Sequence, residues 1–401
     1  MKKLLLFLIL VGLLSSCSTQ KTPEQPYLII VSMDGFRWDY TDSINTPHFD
    51  KIAQMGVKAE SMQVSFPSKT FPNHYTLVTG LVPDNHGIVN NTFYAPEYDE
   101  VYSIRDREKV QDKKFYGGEP IWNTAEKQGL KAASFFWVGS EADIQGIHPS
   151  YWKKYDHDFD YYQRVDSVLA WLSLEEDKRP HLISWYVDEP DGIGHHSGPH
   201  SPQADSVVEQ LDALLGYFMK KLEEHPLGEK VNVIVTADHG MGSISEERTI
   251  FLKDYIKEEW IKYAVGGNPI WNILAMDGFQ DSIYLALENI EGLNIYKNPD
   301  VPEHLNYGNN NRCLDFTVFA DSSYSILSDI SQRHYSKGTH GYDIRNRDMN
   351  AIFFAYGPAF KKAYTQAEFS NTSIYPLMCQ ILGLTPAPND GDFNEVKGML
   401  K

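Results

Sequence analysis

The sequence predicts an α/β protein built on a mostly parallel central sheet flanked by helices. Two observations carry this. YLIIVSMDG (27–35), HLISWYVDEPD (181–191), VNVIVTADHG (231–240) and NAIFFAYGPAF (350–360) are short runs, apolar on both faces. Such runs suit strands covered by helices on either side. Helical patterns fall between them, and alternating strands and helices give an α/β fold. Three of the four runs end in Asp or His, and ligands of open α/β sheets collect beyond the carboxyl ends of their strands.

The N-terminus, MKKLLLFLILVGLLSSC, has a basic start, an apolar run from Leu4 to Leu14, small residues and Cys17. The run is short for a bilayer span and fits the apolar part of a secretory signal. Leu14-Ser15-Ser16-Cys17 resembles the lipobox of bacterial lipoproteins. That resemblance implies a signal peptide over 1–16, lipidation of Cys17 and a tether over 17–26, ahead of a domain over 27–401. An exported, periplasmic or cell-surface lipoprotein follows, with Ser18 compatible with outer-membrane sorting. The alternative is an ordinary signal peptide with a chance cysteine.

The 401 residues carry 36 Lys+Arg against 54 Asp+Glu, a net charge of −18. A surface this acidic repels a nucleic-acid backbone as a bulk partner. A small phosphorylated substrate held by cations remains compatible, because bound ions invert the local charge. Cys313 and Cys379 are far apart in sequence and show no zinc-ribbon spacing. Export permits a bridge between them without requiring one.

Along the chain, Asp34 closes the first run. Thr70, in FPSKTFPNH (66–74), precedes a helical pattern with Pro72 in its first turn. Local signals favour a bland N-cap for Thr70. A hydroxyl at a helix start also sits where an anion binds, and metal coordination activates such a hydroxyl as a nucleophile. Asp191 and His195 lie four apart in DEPDGIGHHSGPH. Ser201-Pro202 opens a helix in which Val207, Leu211, Leu214, Phe218 and Leu222 repeat at core spacing. Asp238 and His239 are adjacent in TADHG, and His340 stands in KGTHGYD. Each alone has a loop or cap reading. Together, three Asp and three His supply ligands for two metal ions, and the mixed N/O set suits zinc better than magnesium or calcium. Residues about 245–335 lack the strand-then-charge pattern and read as a cap or insertion.

SMDGFRWDY, FPSKTFPNHYTLVTGLVPDNHGIVNN, PIWNTAEKQGLKAASFFWVGSEA, YVDEPDGIGHHSGP, TADHGM and GTHGYD, in that order, resemble the nucleotide pyrophosphatase/phosphodiesterase family of the alkaline phosphatase superfamily. The resemblance runs from about residue 27 to NTSIYPLMCQILGLTPAPNDG and is weakest over 245–335. It implies an alkaline-phosphatase-like core and two Zn²⁺ ions. Asp34, Thr70, Asp238 and His239 match the residues around one ion; Asp191, His195 and His340 match the ligands of the other. Thr70 matches the nucleophile and Asn91 the donor to a phosphate oxygen. Phe71, Trp137 and Tyr155 match nucleobase-lining positions, with Tyr186 near them; from its own surroundings in SFFWVGS, Trp137 reads as core. Asn90 departs from the Asp of many relatives. A nucleotide-binding lysine has no secure counterpart, Lys114 being a candidate. The implied reaction cleaves nucleotide phosphodiesters and phosphoanhydrides, releasing nucleoside 5′-monophosphate through a covalent Thr70 intermediate. The alternatives are a choline- or lipid-type phosphodiesterase and a non-catalytic, lipid-anchored binding protein.

Overall fold

The strand Tyr27–Met33 is buried along its whole length. It pairs in parallel with Leu182–Val187 on one side and Val231–Thr236 on the other. These are the first three runs expected from the sequence. They form the middle of an eight-stranded sheet in a computed structural model that describes residues 25–329 and 336–401. Ala132–Phe135 and Tyr151–Lys153 extend the sheet in parallel beyond Leu182–Val187. On the other side follow Phe353–Tyr356, Val57–Ala59 and Tyr364–Gln366. The fourth expected run, Phe353–Tyr356, runs antiparallel to both of its neighbours. Its apolar composition records burial on both faces and carries no information about direction. The signal, lipobox and Cys17 lie outside the described residues. Among those described, no helix is long and apolar enough to cross a membrane.

Two groups of helices cover the sheet. Pro47–Met55, Tyr161–Leu172 and Pro202–Glu223 form one; Thr70–Thr79, Ile121–Lys127 and Ile374–Leu382 form the other. The longest, Pro202–Glu223, starts as its sequence predicts. Ser201 Oγ accepts the N–H of Ala204 at 3.1 Å, and Pro202 takes the first helical position, where no N–H is needed. Its buried face holds Ala204, Val208, Leu211, Leu215, Phe218 and Leu222, each large apolar side chain contributing roughly 1.5–3 kcal/mol. Val207 is only half-buried, beside the buried Val208.

A second sheet occupies much of the stretch read as a cap. Ile261–Gly267, Ile270–Ala275, Phe316–Ala320 and Leu293–Lys297 form it, antiparallel throughout. Polar anchors fasten this part to the core. Both carboxylate oxygens of Asp84 accept backbone N–H groups from Gly308, Asn309 and Asn310 at 2.8–3.1 Å. The buried Arg312 donates to the carbonyls of Gly87 and Phe115 and to Glu97. Cys313 and Cys379 are separate buried free thiols and form no bridge; Cys313 Sγ faces Asp84 Oδ1 at 3.4 Å.

His86 supports the helix that begins at Thr70. Its Nδ1 accepts the N–H of Ile88 at 3.1 Å, so the proton resides on Nε2, facing Pro72 O at 3.2 Å and Thr76 Oγ1 at 3.1 Å. Burial, with a smaller push from Arg312, lowers its pKa to about 3.

Two outcomes follow. Asp84→Ala leaves backbone donors without acceptors and is expected to cost roughly 2–4 kcal/mol in denaturant titrations, with Asp84→Asn costing less. Below pH 6.5 the unfolded chain protonates His86 while the native chain does not until about pH 3. That contribution to stability is therefore present at neutral pH and lost on acidification, by up to about 1.4 kcal/mol per pH unit. His86→Gln should flatten the stability profile between pH 6.5 and 4; an unchanged slope would contradict the assignment.

Candidate active site

The acids stand at the ends of three neighbouring strands. Asp34 follows Met33, Asp191 opens the helix Asp191–Ser197 just beyond Val187, and Asp238-His239 follow Thr236. Gly35 is required here. It has φ +72°, and a Cβ on it would meet the Asp191 Cα at 2.9 Å. Its N–H also donates to Asp238 Oδ1 at 3.1 Å.

The six Asp and His residues form two groups, Asp34–Asp238–His239 and Asp191–His195–His340, with ligand atoms within 4.8 Å of one another in each. The His239 and His340 rings stack with centroids 3.5 Å apart, so the groups adjoin. Each histidine turns Nδ1 to a backbone carbonyl: His239 to Gly240 at 2.7 Å, His195 to Gly338 at 2.8 Å and His340 to Ser68 at 2.7 Å. A carbonyl only accepts, so each Nδ1 carries the proton and each neutral Nε2 presents a lone pair to the site.

This arrangement tests the fit of a metal. Asp34 Oδ1, Asp191 Oδ1 and Asp238 Oδ2 are buried and receive no hydrogen bond. His239 Nε2 lies 3.3 Å from Asp34 Oδ1, 3.1 Å from Asp238 Oδ2 and 3.3 Å from Thr70 Oγ1. Asp191 Oδ1 lies 3.4 Å from His195 Nε2 and 3.5 Å from His340 Nε2. Lone pair faces lone pair in the carboxylate contacts, and the Thr70 hydroxyl can donate to His239 Nε2. Four ligands held at 2.0–2.1 Å in a tetrahedron stand about 3.3 Å apart, the spacing seen here. The donor set fits a tetrahedral cation of mixed N/O preference in each group.

Charge is distributed accordingly. Burial, then the Asp238 and Asp191 carboxylates, push Asp34 well above the ordinary carboxyl range. Burial opposes the ionisation of Asp238 as well, but His239 and His74, when protonated, hold it well below that range, positive charge that a cation between these ligands would supply with His239 neutral. Burial, with His239 and Lys69 beside it, holds His340 well below the ordinary histidine value.

Thr70 begins the helix Thr70–Thr79 as its first residue; Lys69, extended at φ −115°, ψ 154°, holds the cap position. The N-cap reading of Thr70 is therefore corrected by one residue, and its hydroxyl is free to face His239. Asn73 fixes the approach: its Oδ1 accepts from Ser65 N, and its Nδ2 lies 2.9–3.2 Å from the carbonyls of Ser65, Pro67 and Lys69. Asn91 Oδ1 accepts the Phe71 N–H at 2.9 Å, which leaves the Asn91 amide N–H₂ as the polar donor of that side chain. Burial lowers the Lys69 ammonium to about 7, and it donates to Asn268 O at 2.5 Å.

A cavity of about 300 Å³ opens beside Thr70, lined among others by Phe71, Phe136, Trp137, Tyr155 and Tyr186. It gathers the four aromatic positions singled out from the sequence. Trp137 is 1% exposed and donates from Nε1 to His74 O at 3.0 Å, so it is core and cavity wall at once. Tyr186 does more than line: its hydroxyl donates to Asp34 Oδ2 at 2.6 Å. Lys114 lies elsewhere, engaged with Glu100 and Asp112. The basic groups at the cavity are instead Arg105 and Arg107, the latter paired with Glu141. Behind the wall, the buried Arg164 donates to Tyr186 O and Asp188 at 3.1 Å, and its guanidinium carbon lies 5.1 Å from the Phe136 ring centre. Sequence reasoning missed Phe136, Glu141 and both arginines. SEA and the IRDRE segment name charged residues without a ligand spacing, so no local signal marked them.

Residues 28–343 match the family model described as type I phosphodiesterase / nucleotide pyrophosphatase. Human ectonucleotide pyrophosphatase/phosphodiesterase family member 5 is 36% identical over 401 residues, covering 100% of this chain and 83% of the relative. Rat family member 3 is 34% identical over 96% of this chain but 46% of its own length, so the chain spans about half of that longer relative. The structure of murine family member 5 superposes with a TM-score of 0.90 at 37% identity, covering 94% of this chain and 100% of that one. An inactive threonine-to-alanine variant of it, in complex with AMP, also gives 0.90 at 36% identity. The chain therefore belongs to the type I phosphodiesterase / nucleotide pyrophosphatase family, and is a hydrolase of that class with an alkaline-phosphatase-like fold.

Proposed function

We propose that the protein is a two-zinc phosphodiesterase/pyrophosphatase that releases nucleoside 5′-monophosphates through a covalent intermediate on Thr70. The observation that carries this reading is the set of five contacts of 3.1–3.5 Å that link seven ligand atoms, Thr70 Oγ1 among them, near the edge length of tetrahedral zinc. Asp34, Thr70, Asp238 and His239 would hold one ion, and Asp191, His195 and His340 the other. When bound, the ions supply Lewis-acid charge for the attacking and departing oxygens.

The chain's own groups do the rest. Asn73 and the Lys69 cap orient the first helical turn so that Thr70 Oγ points into the site. Oγ releases its proton to solvent and bonds to phosphorus as the bond to the leaving oxygen breaks, that oxygen departing as an anion or taking a proton from solvent. A water oxygen then bonds to phosphorus as the Oγ–P bond breaks, one of its protons returning to Oγ and the other passing to solvent. Two in-line displacements give net retention at phosphorus. Asn91 donates to a non-bridging oxygen, and its amide is oriented for that by the Phe71 N–H. The aromatic cavity takes the nucleobase, where stacking contributes about 1–3 kcal/mol. Family membership and the AMP complex of the murine neighbour support a nucleotide as substrate. Export and anchoring through a lipidated Cys17 complete the proposal and rest on the N-terminal sequence alone.

Nitrophenyl esters of thymidine 5′-monophosphate, phosphorylcholine and phosphate discriminate the readings. Hydrolysis of the first is expected to dominate, and Thr70→Ala should lower it at least about 10³-fold. Hydrolysis of the choline ester alone would favour the choline-type enzyme. Chelation should abolish activity and two equivalents of Zn²⁺ restore it; protein with well under two equivalents and no response to zinc would point to a binder.

Tyr186 acts by positioning Asp34. Tyr186→Phe should weaken zinc binding about 10–100-fold, read by chelator competition, with circular dichroism unchanged. Wild-type zinc affinity in that variant would remove Tyr186 from the site's support.

A further inference from the structure

Arg164 stands on the helix Tyr161–Leu172 with 0% of its surface exposed. A cation taken wholly out of water is costly unless its donors find partners. Here the fork is spent on backbone and carboxylate. Nε donates to Phe159 O at 3.0 Å and Nη2 to His157 O at 3.3 Å, while Nη1 is shared between Tyr186 O and Asp188 Oδ1, each at 3.1 Å. The second oxygen of Asp188 lies 3.1 Å from His157 Nδ1. An apolar side chain of this size would fill the space with less desolvation. The fork instead ties the 157–159 segment to the end of the strand Leu182–Val187.

Those two segments carry walls of the aromatic cavity. Tyr155 just precedes the first and Tyr186 belongs to the second. Their rings stand 6.2 Å apart, and both line the cavity. A third wall is Phe136, whose ring centre lies 5.1 Å from the Arg164 guanidinium carbon and 5.3 Å from the Tyr155 ring. The guanidinium carbon also lies 4.6 Å from the Tyr161 ring centre. Phe136 has φ +70°, a conformation that bulky side chains rarely adopt. Such strain persists only where the surroundings over-determine it, and it gathers at ligand sites. This left-handed residue ends the strand Ala132–Phe135 and passes the chain to Trp137 and Val138, which also line the cavity.

We propose that Arg164 is a positioning residue for base recognition, a buried fork that holds the Phe136, Tyr155 and Tyr186 walls of the aromatic cavity as one preformed slot. The inference rests on the nucleotide reading above and names the residue that sets the slot's shape. Arg164 touches neither the base nor the reacting atoms; it acts through the three rings. A slot held open in advance spares the base the cost of ordering those side chains when it binds. The gain is made equally before and during the reaction, so it belongs to KM rather than to kcat. A substrate without a base draws nothing from it.

The test uses the full chain loaded with zinc and two substrates that share a leaving group: nitrophenyl thymidine 5′-phosphate, and nitrophenyl methyl phosphate, which has no base. Arg164→Met keeps the length of the side chain and removes the fork. It should raise KM for the nucleotide ester about tenfold and lower the ratio of the two kcat/KM values by a similar factor. Inhibition by AMP should weaken about tenfold relative to inhibition by inorganic phosphate, which engages no base slot. Arg164→Lys keeps the charge beside Asp188 without the planar fork and is the milder change to the fold. It should lower the same ratio at least about threefold. A loss equal for both substrates and both inhibitors, or wild-type ratios in either variant, would reduce Arg164 to a structural residue and overturn the inference alone. A wild type that cleaves neither ester, or cleaves both with equal kcat/KM, would overturn the nucleotide reading and the inference with it.

Discussion

Three carboxylates from three adjacent strand ends point at one another, each with an oxygen that no donor satisfies. Buried like charges at this range cannot all ionise without a cation. Gly35 N–H and the Tyr186 hydroxyl each satisfy one oxygen of Asp238 and Asp34, and the inward-facing oxygen of each acid is left without a hydrogen bond. Each histidine spends its Nδ1 proton on a backbone carbonyl and turns a lone pair inward. The opposite displacements of Asp34 and Asp238 are the response of such a cluster, two acids so close that their ionisation is shared unequally. The sheet order puts these ends side by side, and Gly35 permits Asp191 to approach within contact of the first strand's turn.

The second sheet depends on that centre from the other direction. Its connection Gly267–Ile270 carries Asn268, which Lys69 holds through a hydrogen bond one residue from Thr70. Tyr94 and Tyr263 stack at 3.9 Å, joining the second sheet to the hairpin that follows Asn91. Asp84 and Arg312 clamp the same region near the end of the helix Thr70–Thr79. A disturbance of this inserted part therefore reaches the threonine, the asparagine and the cavity wall through short, hydrogen-bonded paths.

The central sheet and the two groups of Asp and His residues that could hold a metal were legible in the sequence because their parts rest on short local patterns. An apolar strand ending in Asp or Asp-His is a local pattern, and the sheet needs only to align several of them. Strand direction was not legible: Phe353–Tyr356 is buried on both faces whichever way it runs. The second sheet escaped because its strands carry buried polar residues such as Asn272 and Thr317, which break the apolar run. Arg107, Glu141 and Phe136 escaped for another reason. Their meaning arises only from their convergence on one cavity, and no spacing along the chain encodes it. Lys114 illustrates the reverse error, a basic residue near the right segment whose charge is spent on Glu100.

Thr70 shows how one residue of register decides between structure and chemistry. As an N-cap its hydroxyl would accept a hydrogen bond from its own helix and lose its freedom. Lys69 takes that position without a side-chain cap, and Asn73 stabilises the turn from within. The helix does not offer all its first N–H groups to an anion, since Phe71 N–H is committed to Asn91. That commitment moves the donor outward: the backbone hydrogen bond orients the amide, and the amide's N–H₂ lies beyond the helix end. A donor on a side chain braced by the helix that Thr70 opens keeps a fixed relation to Thr70 Oγ. Such preorganisation costs no rearrangement when negative charge develops on phosphorus oxygens. The helix start therefore acts less as an anion site in its own right than as the frame that holds the Thr70 hydroxyl and the Asn91 amide in one geometry.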